Sequence, residues 1–336
     1  MDPNYHLFPR HVGQTLVAVL RELLSSSRSQ RSVKSVSWEQ VRRLIRSRRV
    51  TINGNVCMDD ARRMKLQDVI HVLAEPMAAA PTVDDLRLLY TDEHIIVVDK
   101  PSGITTTRHH DDRLISGKRR QIQPTLDELL PMAISGRECR ESHRRKSRPV
   151  PPVFAVHRID RETSGVLVFA RTKAAEHGLI PQFREHSTFR EYLAICTGVF
   201  PEMTTTYRSR LVRDRGDGLR GSTKDQDPNT GKSAVTHVER VEILNSHTLI
   251  RCRLETGRTH QIRIHLLESG HPLAGDRMYR KTPEGDHIMD ESGASRTMLH
   301  ATILEFTHPI SGQRMRFQSR PPRDFLECLR RLAKND

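Results

Sequence analysis

From Leu86 to about residue 306 the chain is a succession of short apolar runs, each of strand length. They are LRLLY at 86–90, HIIVVD at 94–99, GVLVFA at 165–170 and YLAICTG at 192–198, with others at 235–243, 248–254 and 298–306. Helical spacing interrupts them only at about 173–186, 258–269 and 322–333. Many strands with few inserted helices predict an α+β domain, a mixed and mostly antiparallel sheet with helices packed on it.

Ahead of this region lies a small basic block, residues 14–73, which reads as helix, helix and short strands and is expected to be a separate α/β domain. Leu16, Val17, Val19, Leu20, Leu23 and Leu24 have helical spacing. So do Val41, Leu44 and Ile45, after a Ser37 N-cap with Gln40 three residues on. Val50-Thr-Ile-Asn-Gly54 reads as a strand ending in an Asn-Gly turn. Residues 74–85, with two prolines and no periodicity, read as a linker, and 86–330 as the larger domain. Two polar stretches, 137–148 and 213–232, read as loops.

The charge balance narrows the partners. Lys and Arg number 55 against 41 Asp and Glu, a net charge of +14 in 336 residues, which points to a polyanion and first to nucleic acid. No run approaches the roughly 18 apolar residues of a membrane helix, and the start has no apolar leader, so a cytoplasmic protein without a membrane partner is expected. Five scattered cysteines include no CxxC pair, which argues against a disulfide framework or a cysteine zinc site. Phosphate-loop, dinucleotide-binding and serine-hydrolase motifs do not occur.

Two motifs carry most of the chemistry. In Ala155-Val-His-Arg-Ile-Asp-Arg-Glu-Thr-Ser-Gly165, Asp160 sits between arginines just before a buried strand. Nearby cations favour the ionised form, suited to a nucleophile or base; a loop aspartate that caps backbone N–H groups would look the same. In Glu255-Thr-Gly-Arg-Thr-His-Gln-Ile-Arg-Ile-His265 a strand ends and a helix begins. Arg258, Gln261 and Arg263 gather there as an anion site, for a phosphate or for a carboxylate elsewhere in the fold. His260 and His265 are five apart with no intervening glutamate in metal-site register, so no metal is expected. Lys100-Pro-Ser-Gly103 and Arg190-Glu-Tyr192 are weaker, a turn and a strand start.

Together and in order, KPSG, HRIDRETSG, EYLA, GRTHQIRIH and the GHPLAGD at 270–276 resemble the RluA-type pseudouridine synthases, over about Leu86 to Phe325. The block at 14–73, with VRRLIRSRRVTINGNV at its centre, resembles the RNA-binding domain of the small-subunit ribosomal protein (alpha-L) type. The resemblance implies an isomerase that turns specific uridines of structured RNA into pseudouridine without a metal, nucleotide or organic cofactor. It implies that Asp160 opens the reaction, that Tyr192 stacks on the target base and helps remove its carbon-5 proton, and that Arg263 pairs with the carboxylate. Arg158 would place and extrude the nucleotide, and Leu299 would line the base pocket. Two departures stand out: Ile159 where Leu is usual and Arg190 where Lys is usual. The basic segment 108–152 is also longer than the pattern expects.

Large-subunit ribosomal RNA is the expected substrate, because an N-terminal RNA-binding block suits a large substrate. Transfer RNA and a non-catalytic ribosome-assembly role are the alternatives, and the latter would be favoured by loss of Asp160, Tyr192 or Arg263. Arg42, Arg43, Arg46, Arg48 and Arg49, on or just after the second predicted helix, are expected to contact RNA phosphates. The protein is expected to act as a monomer.

Overall fold

The computed structural model describes residues 4–28, 36–66, 68–108, 123–142, 152–216, 218–223, 225, 227, 229–282, 285 and 288–334. The chain divides into two compact units, with Met1–Ala80 in the first and most of the remainder in the second.

The small unit has two helices, α1 (Leu16–Arg28) and α2 (Trp38–Arg46), and strands β1 (Asn4–His6), β2 (Val50–Ile52), β3 (Asn55–Val56) and β4 (Val69–Val72). Its sheet runs β1-β4-β2-β3, all antiparallel. Leu16, Val19 and Leu20 of α1 and Val41 and Ile45 of α2 pack on Val50, Ile52 and Ile70. The expected caps are present: Ser37 accepts from the Gln40 amide while Gln40 accepts from the Ser37 amide. Asn53 and Gly54 both have positive φ, 51° and 74°, the backbone that a two-residue hairpin turn requires.

The large unit is one sheet, ordered β11-β10-β12-β13-β9-β14-β8-β6-β5, with β15 beside β14 and β7 beside β8. Its strands are β5 (Arg87–Thr91), β6 (Ile95–Lys100), β7 (Phe154–Ala155), β8 (Ser164–Ala170), β9 (Phe189–Thr197), β10 (Thr204–Val212), β11 (Gly221–Ser222), β12 (Lys232–Leu244), β13 (His247–Leu254), β14 (Leu299–Thr307) and β15 (Arg314–Gln318). The only parallel pair among the described residues is β8 with β14, so the fold is mixed, mostly antiparallel α+β. Helices α3 (Leu126–Ser142), α4 (Lys173–Arg184), α5 (Gln261–Glu268) and α6 (Arg323–Ala333) pack on it.

Alternation along the central strands explains their continuous apolar sequence. In β6, Ile96 and Val98 join one core layer while Ile95 and Val97 join the other; in β8, Leu167 and Phe169 face the first layer, Val166 and Val168 the second. Such strands are covered on both faces. The first layer takes Leu126, Leu130 and Ile134 of α3 and Ile262 and Leu266 of α5; the second takes Ala175 and Leu179 of α4.

Two expectations need correction. Residues 137–142 of the expected loop continue α3, because Leu126, Leu129, Leu130 and Ile134 are spaced to bury one helix face; the rest, 143–148, lies outside the described residues. The stretch 213–232 carries the short strand β11.

Candidate active site

The parallel junction of β8 with β14 positions the first motif. A side chain at Gly165, whose φ is 116°, would overlap the Ala301 backbone, so glycine is required where the two strands approach. Just before it, residues 157–163 form a loop closed by the Thr163 amide donating to the Asp160 carbonyl. The loop is pinned to the Lys100-Pro-Ser-Gly103 turn. Lys100, fully buried, donates to the carbonyls of Pro101, Ile104 and Arg161 at 2.8–3.0 Å, and Arg161 Nε donates to Gly103 O at 2.9 Å. Thr106 Oγ1 donates to Ile159 O at 2.8 Å. The turn motif is thus a fastening for the aspartate loop. Burial pushes the Lys100 ammonium down to about 7.

The second motif delivers the counter-charge. Gln261, at the start of α5, donates to Val235 O and Thr236 Oγ1 and accepts from Thr256 Oγ1 and the Arg258 amide, which fixes the helix end. Within the first turn, Arg263 Nη1 stands 3.5 Å from Asp160 Oδ2. Its Nε and Nη2 form a tighter fork with the fully buried Asp276, at 2.6 and 2.9 Å. Asp276 also accepts the amides of Met278 and Tyr279, and the Tyr279 ring centre lies 4.8 Å from the guanidinium carbon. Asp276 therefore holds Arg263, and Arg263 presents its remaining Nη1 to Asp160.

Asp160 keeps 18% of its side chain accessible. Burial raises its pKa, but His260, Arg263 and Arg158 outweigh that and hold the carboxyl below the usual carboxylate range. Burial drops His260 itself to about 4, so at neutral pH it is uncharged and the arginines supply the field. The His260 Nε2 faces Asp160 Oδ1 at 3.9 Å, and its Nδ1 is 2.8 Å from the Tyr279 hydroxyl. Tyr192, on β9, is buried, and burial pushes its phenol up to about 12, which leaves it protonated at neutral pH.

One pocket brings Arg158, Asp160, Tyr192, Arg263 and Leu299 together, with Arg190, His260, Phe183 and Ile180 also on its wall. An ionised, partly accessible carboxylate beside an aromatic ring and an apolar wall suits chemistry on a flat base. Residues 94–268 match the family model described as RNA pseudouridylate synthase. The chain belongs to that family. This synthase is 34% identical over 300 residues to ribosomal large subunit pseudouridine synthase D of Zymomonas mobilis, covering 87% of this chain and 88% of the relative. It is 33% identical over 335 residues to the protein of the same name from Xanthomonas campestris, covering 96% and 90%. The structure of human RNA pseudouridylate synthase domain containing 4 superposes with a TM-score of 0.55 at 22% identity, over 73% of this chain and 92% of that one. The synthase is accordingly an isomerase that forms pseudouridine in RNA.

The partners that position the synthase's pocket residues are not identified by the sequence alone. Asp276 closes the GHPLAGD motif, yet its role depends on the Arg263 fork thirteen residues away. His260 and Tyr279 meet only through folding. Of the donor cluster, Arg263 serves a carboxylate, as one of the two expected readings had it, while Arg258 Nε donates to Ser233 O. Among the described residues no group of three or more His, Cys, Asp or Glu could hold a metal ion, and no helix is long and apolar enough to cross a membrane.

In the small unit Arg42, Arg43 and Arg46 lie on α2, with Arg48 and Arg49 just beyond. Arg42 pairs with Asp60 at 3.2 Å and Arg46 with Glu39 at 3.6 Å. Arg48 and Arg49 turn their Nε groups to the carbonyls of Met77 and Leu73, while Arg43 is exposed.

Proposed function

We propose that this synthase isomerises uridines of large-subunit ribosomal RNA, with Asp160 as the carboxylate that starts the reaction. The observation that carries the reading is the Asp160–Arg263–Asp276 array: a carboxylate kept ionised, half-enclosed, and fixed by a buried guanidinium that a second carboxylate locks in place. Pseudouridine formation detaches uracil, turns it and rejoins it through carbon, so it needs such a fixed group together with a slot that excludes water. Tyr192 stacks on the extruded base and its hydroxyl handles the carbon-5 proton. Leu299 forms the apolar wall, and the exposed Arg158 holds the backbone of the flipped nucleotide, offsetting part of a cost of a few kcal/mol.

The name of the bacterial relatives supports ribosomal RNA as substrate. The small unit, residues 14–73, serves as the RNA-binding domain, joined through 74–85 to a catalytic domain at 86–330. The protein acts as a monomer in this reading, and a ribosomal substrate supports a cytoplasmic site of action.

The test is to incubate the protein and its Asp160→Asn variant with ribosomal and transfer RNA lacking pseudouridine, and to map products by carbodiimide adduct stops in reverse transcription. Stops on large-subunit RNA with the wild type alone are expected. Stops confined to transfer RNA would replace the substrate, and stops with Asp160→Asn would overturn the role of Asp160.

A further inference from the structure

Arg190 is a buried cation whose donors the protein leaves partly unused. It stands two residues before Tyr192 on β9, so the two side chains share a face of the strand, and both line the pocket of Asp160. It is 7% exposed. Its Nη2 donates to Glu255 O at 2.9 Å, while its Nε–H is buried and has no acceptor. Leaving a buried donor unsatisfied costs about 1–3 kcal/mol, more for a charged group. The backbone makes room for the group. A Cβ at Gly257 would fall 2.5 Å from Arg190 Nη1, so the guanidinium rests against a glycine where any other residue would push on it. No carboxylate pairs with Arg190 among the described residues, in contrast to Arg263 with its two.

The reaction creates the charge that Arg190 lacks. Whichever atom Asp160 engages, the C1′–N1 bond breaks and both electrons leave with the uracil, whose charge spreads over N1 and the carbonyl oxygens. The C1′–C5 bond then forms, the C5 proton departs and N1 gains a proton, so substrate and product are isomers. We propose that Arg190 is a catalytic residue that stabilises the detached uracil anion, its guanidinium facing a uracil carbonyl oxygen beside Tyr192 from the pocket wall. This assignment rests on the reading of Asp160 and Tyr192 given above. A fixed cation in a water-poor pocket acts most strongly on charge that develops during reaction.

The test varies the leaving group. 5-Fluorouridine must break the same C1′–N1 bond, but fluorine withdraws charge and makes the departing anion more stable. Single-turnover rates are measured on a uridine RNA and its 5-fluorouridine counterpart for wild type, Arg190→Gln, Arg190→Lys and Gly257→Ala. Arg190→Gln is expected to lose on the order of 10²-fold on uridine and less than about 10-fold on 5-fluorouridine, with RNA affinity kept. Arg190→Lys keeps the charge without the planar fork and is expected to recover most of what Arg190→Gln loses on uridine. Gly257→Ala displaces the guanidinium without removing it and shows the same pattern in milder form, so it decides the matter should Arg190→Gln fail to fold. Equal losses on both substrates, or a loss wholly in affinity, would reduce Arg190 to positioning. A carbon-5 deuterium isotope effect that emerges only in Arg190→Gln would assign it to proton removal; either result overturns the proposal. A wild type that makes no pseudouridine would instead defeat the underlying reading.

Discussion

Arg263 and Arg43 stand on short helices, α5 and α2, of the same strongly basic chain. Arg263 is 8% exposed, forked onto Asp276 and facing Asp160, whereas Arg43 lies in solvent. Between buried charges the interaction is little screened and its geometry is fixed. Exposed charges more than about 8 Å apart are largely screened at physiological salt. A count of cations therefore points to a polyanion, and burial separates the arginine fixed between carboxylates from the one left open to solvent.

The sharpest way to break this contrast is at the carboxylate. Asp160→Asn keeps the shape of the site and removes its charge, and turnover is expected to fall on the order of 10⁴-fold, as when an essential catalytic group is removed. RNA affinity should stay within a few-fold. Turnover by this variant in the mapping assay would separate Asp160 from the chemistry.

Next comes the fork. Asp276→Ala leaves the Arg263 guanidinium buried with only the longer approach to Asp160, and breaking a buried pair costs about 3–5 kcal/mol. Urea denaturation should show that loss, and catalysis should fall with it because nothing then aims Nη1. Unchanged stability would mean that Asp160 moves in to replace Asp276. Tyr192→Phe is the subtler change: the ring remains, and loss of the hydroxyl is expected to cost about 10²-fold in turnover. Full activity would leave Tyr192 as a stacking surface alone.

Acid probes the same buried chemistry. Burial lowers His157 to about 3 and His260 and His265 to about 4, well below the 6.5 of a free histidine. Below pH 6.5 the unfolded chain therefore binds more protons than the folded one, and stability falls with pH, by up to about 1.4 kcal/mol per histidine per pH unit. The loss runs from pH 6.5 to about 4 for His260 and His265 and on to about 3 for His157. Denaturant midpoints measured at pH 7, 6 and 5 should decline progressively; a flat series would mean that these rings are solvated.

The same physics decides what is legible in the sequence. β6 and β8 are plain there because both faces are buried and the runs at 95–98 and 166–170 are unbroken apolar sequence. β10, TTTYRSRLV, and β15, RMRFQ, are not, because their exposed and half-buried positions alternate and arginine takes two of the five places in β15. α3 hides in a basic segment, with Pro131 inside it, although its Leu and Ile spacing is helical. Asp160, Tyr192 and Arg263 sit in compact motifs. Of the partners that set their geometry, His260 and Asp276 lie in the motifs without any mark of what they pair with, Tyr279 lies outside them, and the approach of Arg190 to Gly257 exists only in the fold.

The smallest effect belongs to the exposed side of the comparison. Arg42→Glu, Arg43→Glu and Arg46→Glu together should leave the pocket untouched, so single-turnover rates at saturating RNA are expected to match wild type. Two of the three already have acidic neighbours, Asp60 and Glu39, in pairs that are mostly solvent-exposed and worth little. They can therefore exchange those partners for phosphates. Affinity should drop, and the slope of log K against log salt should flatten by about 0.7 for each single-strand phosphate that is no longer neutralised. A slope identical to wild type would show that α2 faces away from RNA. A fall in the saturating rate would show that the two classes of arginine are coupled after all, and that docking by the small unit helps to set the chemistry at Asp160.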